Sequence, residues 1–259
     1  GSRVSKGMNI ANLLPIATDE RVTSMIKVTE FEDNKYLIMV TKHGVIKRTD
    51  LKAFDTARKG GLIALDLDEG DELAWVRMTG GSEDIIVATK KGKSIRFSEM
   101  DVRAVGRSAR GVRALKLNAD DEVVGMILVD SEKLILTVTE SGYGRLSDQS
   151  EYRIQSRGGQ GVINYHTDKY GDVAALNSVS LDQDIILISD SGIIIRIKAD
   201  TIRKCSRLSK GVKVMKMTNG SKVVAVACVP REDSEVNSEN AEELDENLNS
   251  DEENAEKEN

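Results

Sequence analysis

The hydrophobic positions fall into short runs separated by turns, and the whole pattern recurs about every 50 residues. The run Ile85–Ala88 is continuously apolar, as in a strand buried on both faces, whereas Lys93–Phe97 alternates like a half-buried strand. Turn glycines recur at Gly44, Gly92, Gly142 and Gly192, and loop-ending glycines at Gly7, Gly61, Gly111, Gly161 and Gly211. A fixed period with about four short strands per unit predicts an all-β, propeller-like disc of four-stranded blades.

The repeats divide the chain into one folded domain and two flanking pieces. We interpret residues 1–2 as a cloning remnant, 3–230 as the repeat domain and 231–259 as a disordered acidic tail. Residues 3–30 resemble the back half of a repeat, so we expect the natural protein to extend further toward its N-terminus. Complete blades are predicted at about 31–78, 79–129, 130–182 and 183–229, each with a third strand such as Val112–Leu117.

Charge is distributed unevenly between these parts. The formal net charge is −6, but residues 231–259 contain 13 acidic residues and only two basic ones. The remainder therefore carries a net charge of about +5, which favours a polyanionic partner for the folded domain. Two cysteines and the lack of an apolar run long enough to span a membrane predict a cytoplasmic protein without a disulfide framework.

No catalytic or metal-binding constellation is visible in the sequence. The only histidines, His43 and His166, lack metal-ligand spacing, and no phosphate-binding loop or nucleophile motif is present. The Gly158-Gly159-Gln160-Gly161 cluster occupies the loop-ending position of its repeat rather than a strand–loop–helix context. We therefore expect no cofactor, no metal and no enzyme activity from this domain alone.

Basic residues recur in phase with the repeat. Relative to the loop-ending glycine, position −8 holds Arg103, Arg153 and Arg203, position −4 holds Arg107, Arg157 and Arg207, and position −1 holds Arg110 and Lys210. Four residues after the turn glycine stand Arg48, Arg96 and Arg196, with Arg145 one position earlier. Neighbouring basic positions complete the candidate set: Lys47, Arg58, Lys59 and Lys204.

If the repeats are related by rotation, these side chains fall on one rim and form a curved basic band. Such a band matches a bent DNA duplex, which carries one negative charge every ~1.7 Å along its axis. Few aromatic residues occur in the loops, which argues against recognition of single strands. The alternative interpretation is an ordinary charged β-surface whose arginines pair with neighbouring acids.

Several segments resemble the C-terminal domain of DNA gyrase A subunits. They are Thr41–Thr49, Gly60–Leu65, Gly106–Val112, Ser141–Arg145 and Gln155–Val162, and the resemblance extends from about Arg3 to Val229. It implies a β-pinwheel whose blades exchange strands and around whose basic outer rim DNA wraps without base specificity. In the intact enzyme that wrap would support negative supercoiling.

The resemblance also implies partners and limits. The expected partners are double-stranded DNA and the remainder of gyrase, both the rest of its A subunit and its B subunit. The isolated domain is expected to be monomeric, with ATP and magnesium used elsewhere in the enzyme. The family's box, Q-(R/K)-R-G-G-(R/K)-G, normally lies in the first blade. Here a degenerate copy occurs in a later blade, formed by Gln155, Arg157, Gly158, Gly159 and Gly161, with Ser156 and Gln160 in place of two basic residues.

Two other functions fit parts of the pattern. The equivalent domain of the topoisomerase IV A subunit shares the blades, although the late Arg-Gly-Gly segment and the acidic tail favour gyrase. A propeller-type protein-interaction scaffold would expose Trp and Tyr anchors on one face. The single tryptophan, Trp75, lies in a strand pattern and is expected in the core.

Overall fold

The computed structural model describes residues 12, 16, 20–56, 61–218 and 220–231. Its strands are β1 (Tyr36–Thr41), β2 (Val45–Asp50), β3 (Leu73–Thr79), β4 (Asp84–Thr89), β5 (Lys93–Ser98), β6 (Val112–Arg113), β7 (Val123–Leu128), β8 (Leu134–Thr139), β9 (Tyr143–Ser147), β10 (Val162–Ile163), β11 (Val173–Val179), β12 (Gln183–Ser189), β13 (Ile194–Lys198), β14 (Val212–Lys213) and β15 (Val223–Pro230). A single helical turn, α1 (Thr167–Tyr170), interrupts the third repeat, and short 3-10 turns span Leu51–Phe54, Glu99–Asp101, Gln149–Glu151 and Ala199–Thr201.

The strands form four antiparallel sheets, and we call each sheet a blade. The strand order is β3-β1-β2-β6 in the first blade, β7-β4-β5-β10 in the second, β11-β8-β9-β14 in the third and β15-β12-β13 in the fourth. The two-residue strands β6, β10 and β14 come from the next repeat along the chain. The blades therefore exchange strands, as the resemblance implied.

The exchanged strands dock in one constant register. Val112 lies opposite Ile46, Val162 opposite Ser94, and Val212 opposite Gly144. The glycine that precedes each exchanged strand has a positive φ, 69° at Gly161, and a Cβ there would lie 2.2 Å from the carbonyl oxygen of Ser94. The loop-ending glycine of the repeat is therefore required by backbone conformation and by close approach to the neighbouring blade.

The hydrophobic core lies mainly between blades. One cluster joins Ile38 and Ile46 of the first blade to Ile85, Ile95 and Phe97 of the second. A second cluster joins the second and third blades through residues including Ile86 and Ile135, and a third joins the third and fourth blades. Fully burying one such side chain contributes about 1.5–3 kcal/mol. Since these side chains are buried against the next blade, contacts between neighbouring blades supply much of the stability.

The innermost strands of all four blades face a common space. Consecutive inner strands contact each other, β3 with β7, β7 with β11, and β11 with β15. A cavity of about 780 Å³ is lined by Arg77 of β3, Ile127 of β7, Asn177 of β11 and Cys228 of β15. The blades are therefore arranged around one axis, and the exchanged strands lie at the outer edges of their sheets.

Some details differ from the sequence-based expectations. The third strand expected at Val112–Leu117 is only two residues long and belongs to the preceding blade's sheet. Its length is limited because Ala114 and Leu115, which follow, turn inward and are buried. Most of the half repeat 3–30 and of the tail 231–259 lies outside the described residues, and residues 20–30 form no strand.

We expect Gly161→Ala to lower the free energy of unfolding by about 2 kcal/mol or more, because an alanine there adds both φ strain and a backbone clash. Gly70 is the matched control, since its φ is 77° and no atom lies within 4 Å of its Cβ position. Urea denaturation of both variants separates the two effects. Equal destabilisation of the two would contradict the clash.

Candidate nucleic-acid interface

The outer edges of the first three blades are covered by the arginine-bearing loops of the following repeats. Each loop begins with a 3-10 turn; the Asp148 carboxylate, for example, accepts a hydrogen bond from the backbone N–H of Ser150 at 2.9 Å. Isolated parallel bridges then hold the loops against the preceding blades, Ala104 against Arg48, Ile154 against Arg96, and Lys204 against Leu146. Three successive loops consequently occupy equivalent outer positions.

The arginines at position −8 are the clearest candidates for contacting a polyanion. Arg103, Arg153 and Arg203 are all exposed. Among the described residues, none of these three side chains takes part in a hydrogen bond or an ion pair. Each follows the 3-10 turn of its loop after one intervening residue, so their backbones occupy corresponding places on three blades. Three guanidinium groups are thus presented to solvent in phase with the blades.

The arginines at position −4 are half-buried, and the side chains of Arg157 and Arg207 connect adjacent loops. The Arg157 side chain donates hydrogen bonds to the carbonyl oxygens of Asp101 at 3.2 Å and Arg113 at 2.6 Å. Arg207 donates in the same way to the carbonyl oxygen of Glu151 at 3.2 Å. Arg107, the third member, is also half-buried. Arg157 and Arg207 therefore lie at the edge but also hold neighbouring loops in place.

Other loop cations are exposed and lightly paired. Arg110 forms an ion pair with Asp68, and Lys204 forms one with Asp148 at 3.1 Å. Hydrogen bonds from Ser150, and then from Lys204, lower the pKa of Asp148 to about 2. Exposed pairs of this kind are weak, so phosphate groups can compete for both cations.

Tyrosines accompany the cations at the edge of the third blade. The Lys210 ammonium lies 4.2 Å from the centre of the Tyr143 ring, and the Lys213 ammonium lies 4.4 Å from it. A hydrogen bond from Lys210, together with the charge of both lysines, lowers the pKa of Tyr143. Two ammonium groups therefore lie beside one tyrosine ring at this edge.

Two of the candidate cations are not on the rim at all. The side chains of Lys47 and Arg145, three residues after their turn glycines, are 0% exposed. Lys47 donates to the carbonyl oxygens of Ala64 and Arg107, and Arg145 donates to those of Asn164 and Ser209. Burial, reinforced by the charge of Arg107, lowers the pKa of Lys47. Their expected rim placement is wrong because they join their own repeat to the loop of the next one.

The arginines one position further along are also largely structural. Arg48 is 8% exposed, lies 4.6 Å from the centre of the Tyr36 ring and donates to the carbonyl oxygen of Glu99. Arg96 donates to the carbonyl oxygen of Gln149, which occupies in the third repeat the place of Glu99 in the second. Arg96 also forms an ion pair with Asp84. Arg196 pairs with Asp184 at 2.8 Å and remains more exposed. Four residues after the turn glycine, the arginines therefore pair with neighbouring acids, as the alternative interpretation of a charged β-surface predicted.

The degenerate box, residues 155–161, lies on the edge of the second blade. It also contacts the residues that follow β6, the strand exchanged into the first blade. The backbone N–H of Gln155 donates to the carbonyl oxygen of Arg96, and that of Gly158 donates to Ala114. The carbonyl oxygen of Gly159 accepts from Lys116. Arg58 and Lys59 lie outside the described residues.

Sequence reasoning missed a second set of exposed cations. Arg113 and Lys213 lie on the exchanged strands two residues after the glycine, and Lys116 and Lys216 follow three residues later. All four are exposed. Arg113 and Lys213 stand two residues after Gly111 and Gly211, and Lys116 and Lys216 stand five residues after them. Counting forward as well as backward from the loop-ending glycine would therefore have found this set.

Within the described ranges, no group of three or more His, Cys, Asp or Glu side chains is placed to hold a metal ion. None of the helices in that part of the chain is long and apolar enough to cross a membrane. Trp75 packs partly buried against the core between the first two blades, so it offers no exposed anchor.

The fold and the edge together define a propeller-like repeat domain with a basic outer rim. Comparison with known proteins specifies the family. The family model described as "DNA gyrase C-terminal domain, beta-propeller" matches residues 35–79, 83–130, 133–180 and 183–230. The chain belongs to this family.

Relatives and solved structures agree with that assignment. The DNA gyrase A subunit of Halalkalibacterium halodurans is 54% identical over 235 residues, covering 90% of this chain and 28% of the relative. The corresponding subunit of Clostridium acetobutylicum is 43% identical over 255 residues, covering 98% and 31%. The chain thus spans about a third or less of these subunits.

Two solved structures resemble the chain over most of its length. The C-terminal domain of DNA topoisomerase IV aligns with a TM-score of 0.82 at 28% identity, covering 88% of this chain and 72% of that one. A DNA gyrase A C-terminal domain aligns with a TM-score of 0.75 at 27% identity, covering 86% and 75%.

We expect Arg145→Met to lower the free energy of unfolding by about 2–4 kcal/mol, because it removes the partner of buried carbonyl groups between the third and fourth repeats. Arg153→Ala, the matched exposed variant, should change it by less than about 0.5 kcal/mol. Thermal and urea denaturation measure both. A fully stable Arg145→Met variant would show that the buried guanidinium does not hold the repeats together.

Proposed function

We propose that the domain binds double-stranded DNA along its basic outer edge and bends it around the blades. The single observation that carries this proposal is the phased exposure of Arg103, Arg153 and Arg203 on three consecutive loops. Side chains that lack protein partners gain most from phosphate contacts, since no existing ion pair must be broken.

The arrangement favours the phosphate backbone over the bases. Arg113, Lys116, Lys213 and Lys216 widen the edge beside the free arginines. The described outer edge presents no helix of groove-reading length, since α1 has four residues. Contacts to phosphates position a duplex without reading sequence, so the proposed binding is non-specific.

Bending requires several blades to act together. Smoothly bending a duplex of about 20–30 base pairs costs on the order of 1–6 kcal/mol. Contacts from one loop would not offset that cost, whereas equivalent contacts from three loops on a curved rim would. The rotation of the blades about one axis therefore supports wrapping rather than straight binding.

Within a complete enzyme, we propose that this domain is a non-catalytic accessory of an ATP-dependent type IIA topoisomerase. Its DNA wrap would present a crossover to the cleavage core, and passage of one duplex through another would then introduce negative supercoils. Its remaining partners would be the rest of the gyrase A subunit together with the B subunit, in the cytoplasm. No cofactor is proposed for the domain itself.

The similarity to the topoisomerase IV domain supports a second, related candidate. Its TM-score exceeds that of the gyrase structure at nearly equal identity. The blades and the outer edge would bind DNA in either enzyme. The family match and the gyrase A relatives favour gyrase, in which the wrap has a defined sign.

Replacing Arg103, Arg153 and Arg203 together with alanine should weaken DNA binding and reduce its salt dependence. Each lost phosphate contact lowers the magnitude of the log–log slope by about 0.9, so the triple variant should lose about 2.7. Fluorescence anisotropy with a random-sequence duplex at several salt concentrations measures the slope.

Arg77→Ala is the control for this experiment, because Arg77 lies on the inner strand β3 beside the axial cavity. Its slope should equal that of the unaltered chain. A triple variant with an unchanged slope would place the DNA elsewhere on the domain.

Wrapping has its own readout. A nicked plasmid that is religated with the domain bound should trap a shift in linking number, because wrapped DNA is constrained as a superhelix. The triple arginine variant should trap less at equal protein concentration. Tight binding with no shift would leave a DNA-binding domain that does not wrap.

A further inference from the structure

Three blades close their outer edge with the same cross-strand pair, but the residues of that pair differ. The pairs in the first, second and third blades are Val45 with Arg113, Lys93 with Ile163, and Tyr143 with Lys213. The residue before the loop-ending glycine also varies and is, in the same order, Arg110, Gln160 and Lys210. Of these three edges, the third alone combines an aromatic ring with two lysines.

The two lysines of the third edge are exposed and lie against the tyrosine. Among the described residues, neither Lys210 nor Lys213 forms an ion pair with an acid. Their ammonium groups are 4.2 and 4.4 Å from the centre of the Tyr143 ring. A hydrogen bond from Lys210, and then the charges of both lysines, lower the pKa of the Tyr143 hydroxyl group. Two cations close to one hydroxyl group lack a counter-charge, so an anion placed there is attracted by both.

Buried residues beneath this edge hold the backbone of Lys210 in place. Tyr165 is 2% exposed and donates from its hydroxyl group to the carbonyl oxygen of Lys210. Arg145 lies 4.5 Å from the centre of the Tyr165 ring and donates to the carbonyl oxygen of Ser209 at 3.4 Å. Burial raises the pKa of Tyr165 to about 12, so its hydroxyl group remains a donor at neutral pH. The lysine side chain therefore extends from a fixed backbone, which lowers the entropy lost when it contacts an anion.

We propose that Tyr143, Lys210 and Lys213 form a phosphate clamp, which binds one phosphate group of the duplex as the strongest single contact on the outer edge. The inference rests on the proposed function and deepens it by naming where the DNA is anchored. The phenol hydroxyl group and the two ammonium groups donate to the phosphate oxygens, and hydrogen bonds to ionised groups are about twice as strong as neutral ones. The first and second edges cannot form this contact, since Val45 and Lys93 stand in place of the tyrosine.

Lys210→Met and Arg110→Met remove the same charge from equivalent positions of the third and first edges. We expect the lysine variant to weaken binding of a random-sequence duplex about tenfold and the arginine variant about threefold or less. The difference arises because Arg110 is already paired with Asp68, whereas Lys210 has no acidic partner among the described residues. Fluorescence anisotropy at one fixed salt concentration measures both losses, and thermal denaturation checks that both variants are folded.

Tyr143→Phe keeps the ring beside the lysines and removes only the hydroxyl group. The charged and titratable groups that face this hydroxyl group are Lys210 and Lys213, with Tyr170 of α1 next to the ring. As pH rises through the lowered pKa of Tyr143, a phenolate forms that pairs with the lysines and repels phosphate. DNA affinity of the unaltered chain should therefore fall between about pH 8 and 10 more steeply than that of Tyr143→Phe. A purely structural ring would leave the two pH profiles parallel.

The outcomes separate the clamp from the proposed function. If the unaltered chain binds DNA but Lys210→Met and Arg110→Met lose equal affinity, or if the two pH profiles are parallel, the clamp is overturned and DNA binding by the outer edge stands. If the unaltered chain does not bind the duplex, both proposals fail. A larger loss for Lys210→Met, together with a flatter pH profile for Tyr143→Phe, supports the clamp.

Discussion

The structure depends on one constraint: an antiparallel sheet of three strands leaves a row of backbone donors and acceptors unpaired at its outer edge. Each of the first three blades satisfies that edge with two residues of the following repeat. The exchange is short, but it is reinforced by hydrogen bonds such as that from the N–H of Asn164 to the carbonyl oxygen of Gly92 at 2.7 Å. The repeats therefore cannot fold as independent units, since each completes the one before it.

The same constraint divides the cations into two groups with different roles. Bringing the loop of one repeat across the blade of another places its backbone carbonyl groups in a low-dielectric setting, where they need donors. Lys47, Arg145, Arg48 and Arg96 supply those donors and are withdrawn from the surface. The loop arginines at position −8, Arg103, Arg153 and Arg203, remain exposed to solvent. Strand exchange thus accounts both for the buried cations that join the repeats and for the exposed cations at the outer edge.

The charged exterior supports the proposed wrapping through geometry rather than through any single strong site. Individual exposed cations contribute little, and their effect is screened by salt. Repetition at equivalent positions around an axis makes small contributions act on one continuous duplex. At the third edge, the Tyr143 ring lies beside both Lys210 and Lys213 and so helps to place two cations there.

Much of this organisation could be read from the chain alone. The period of the turn glycines and the apolar runs between them determined four similar β units, because strand periodicity and tight turns are local properties. The phasing of Arg103, Arg153 and Arg203 was equally visible. Only the tertiary structure decided that Val112–Arg113 belongs to the preceding blade and that Arg145 is buried while Arg153 is exposed. Those outcomes depend on which repeat covers which edge, and a pairing between residues more than 60 positions apart leaves no trace in local periodicity.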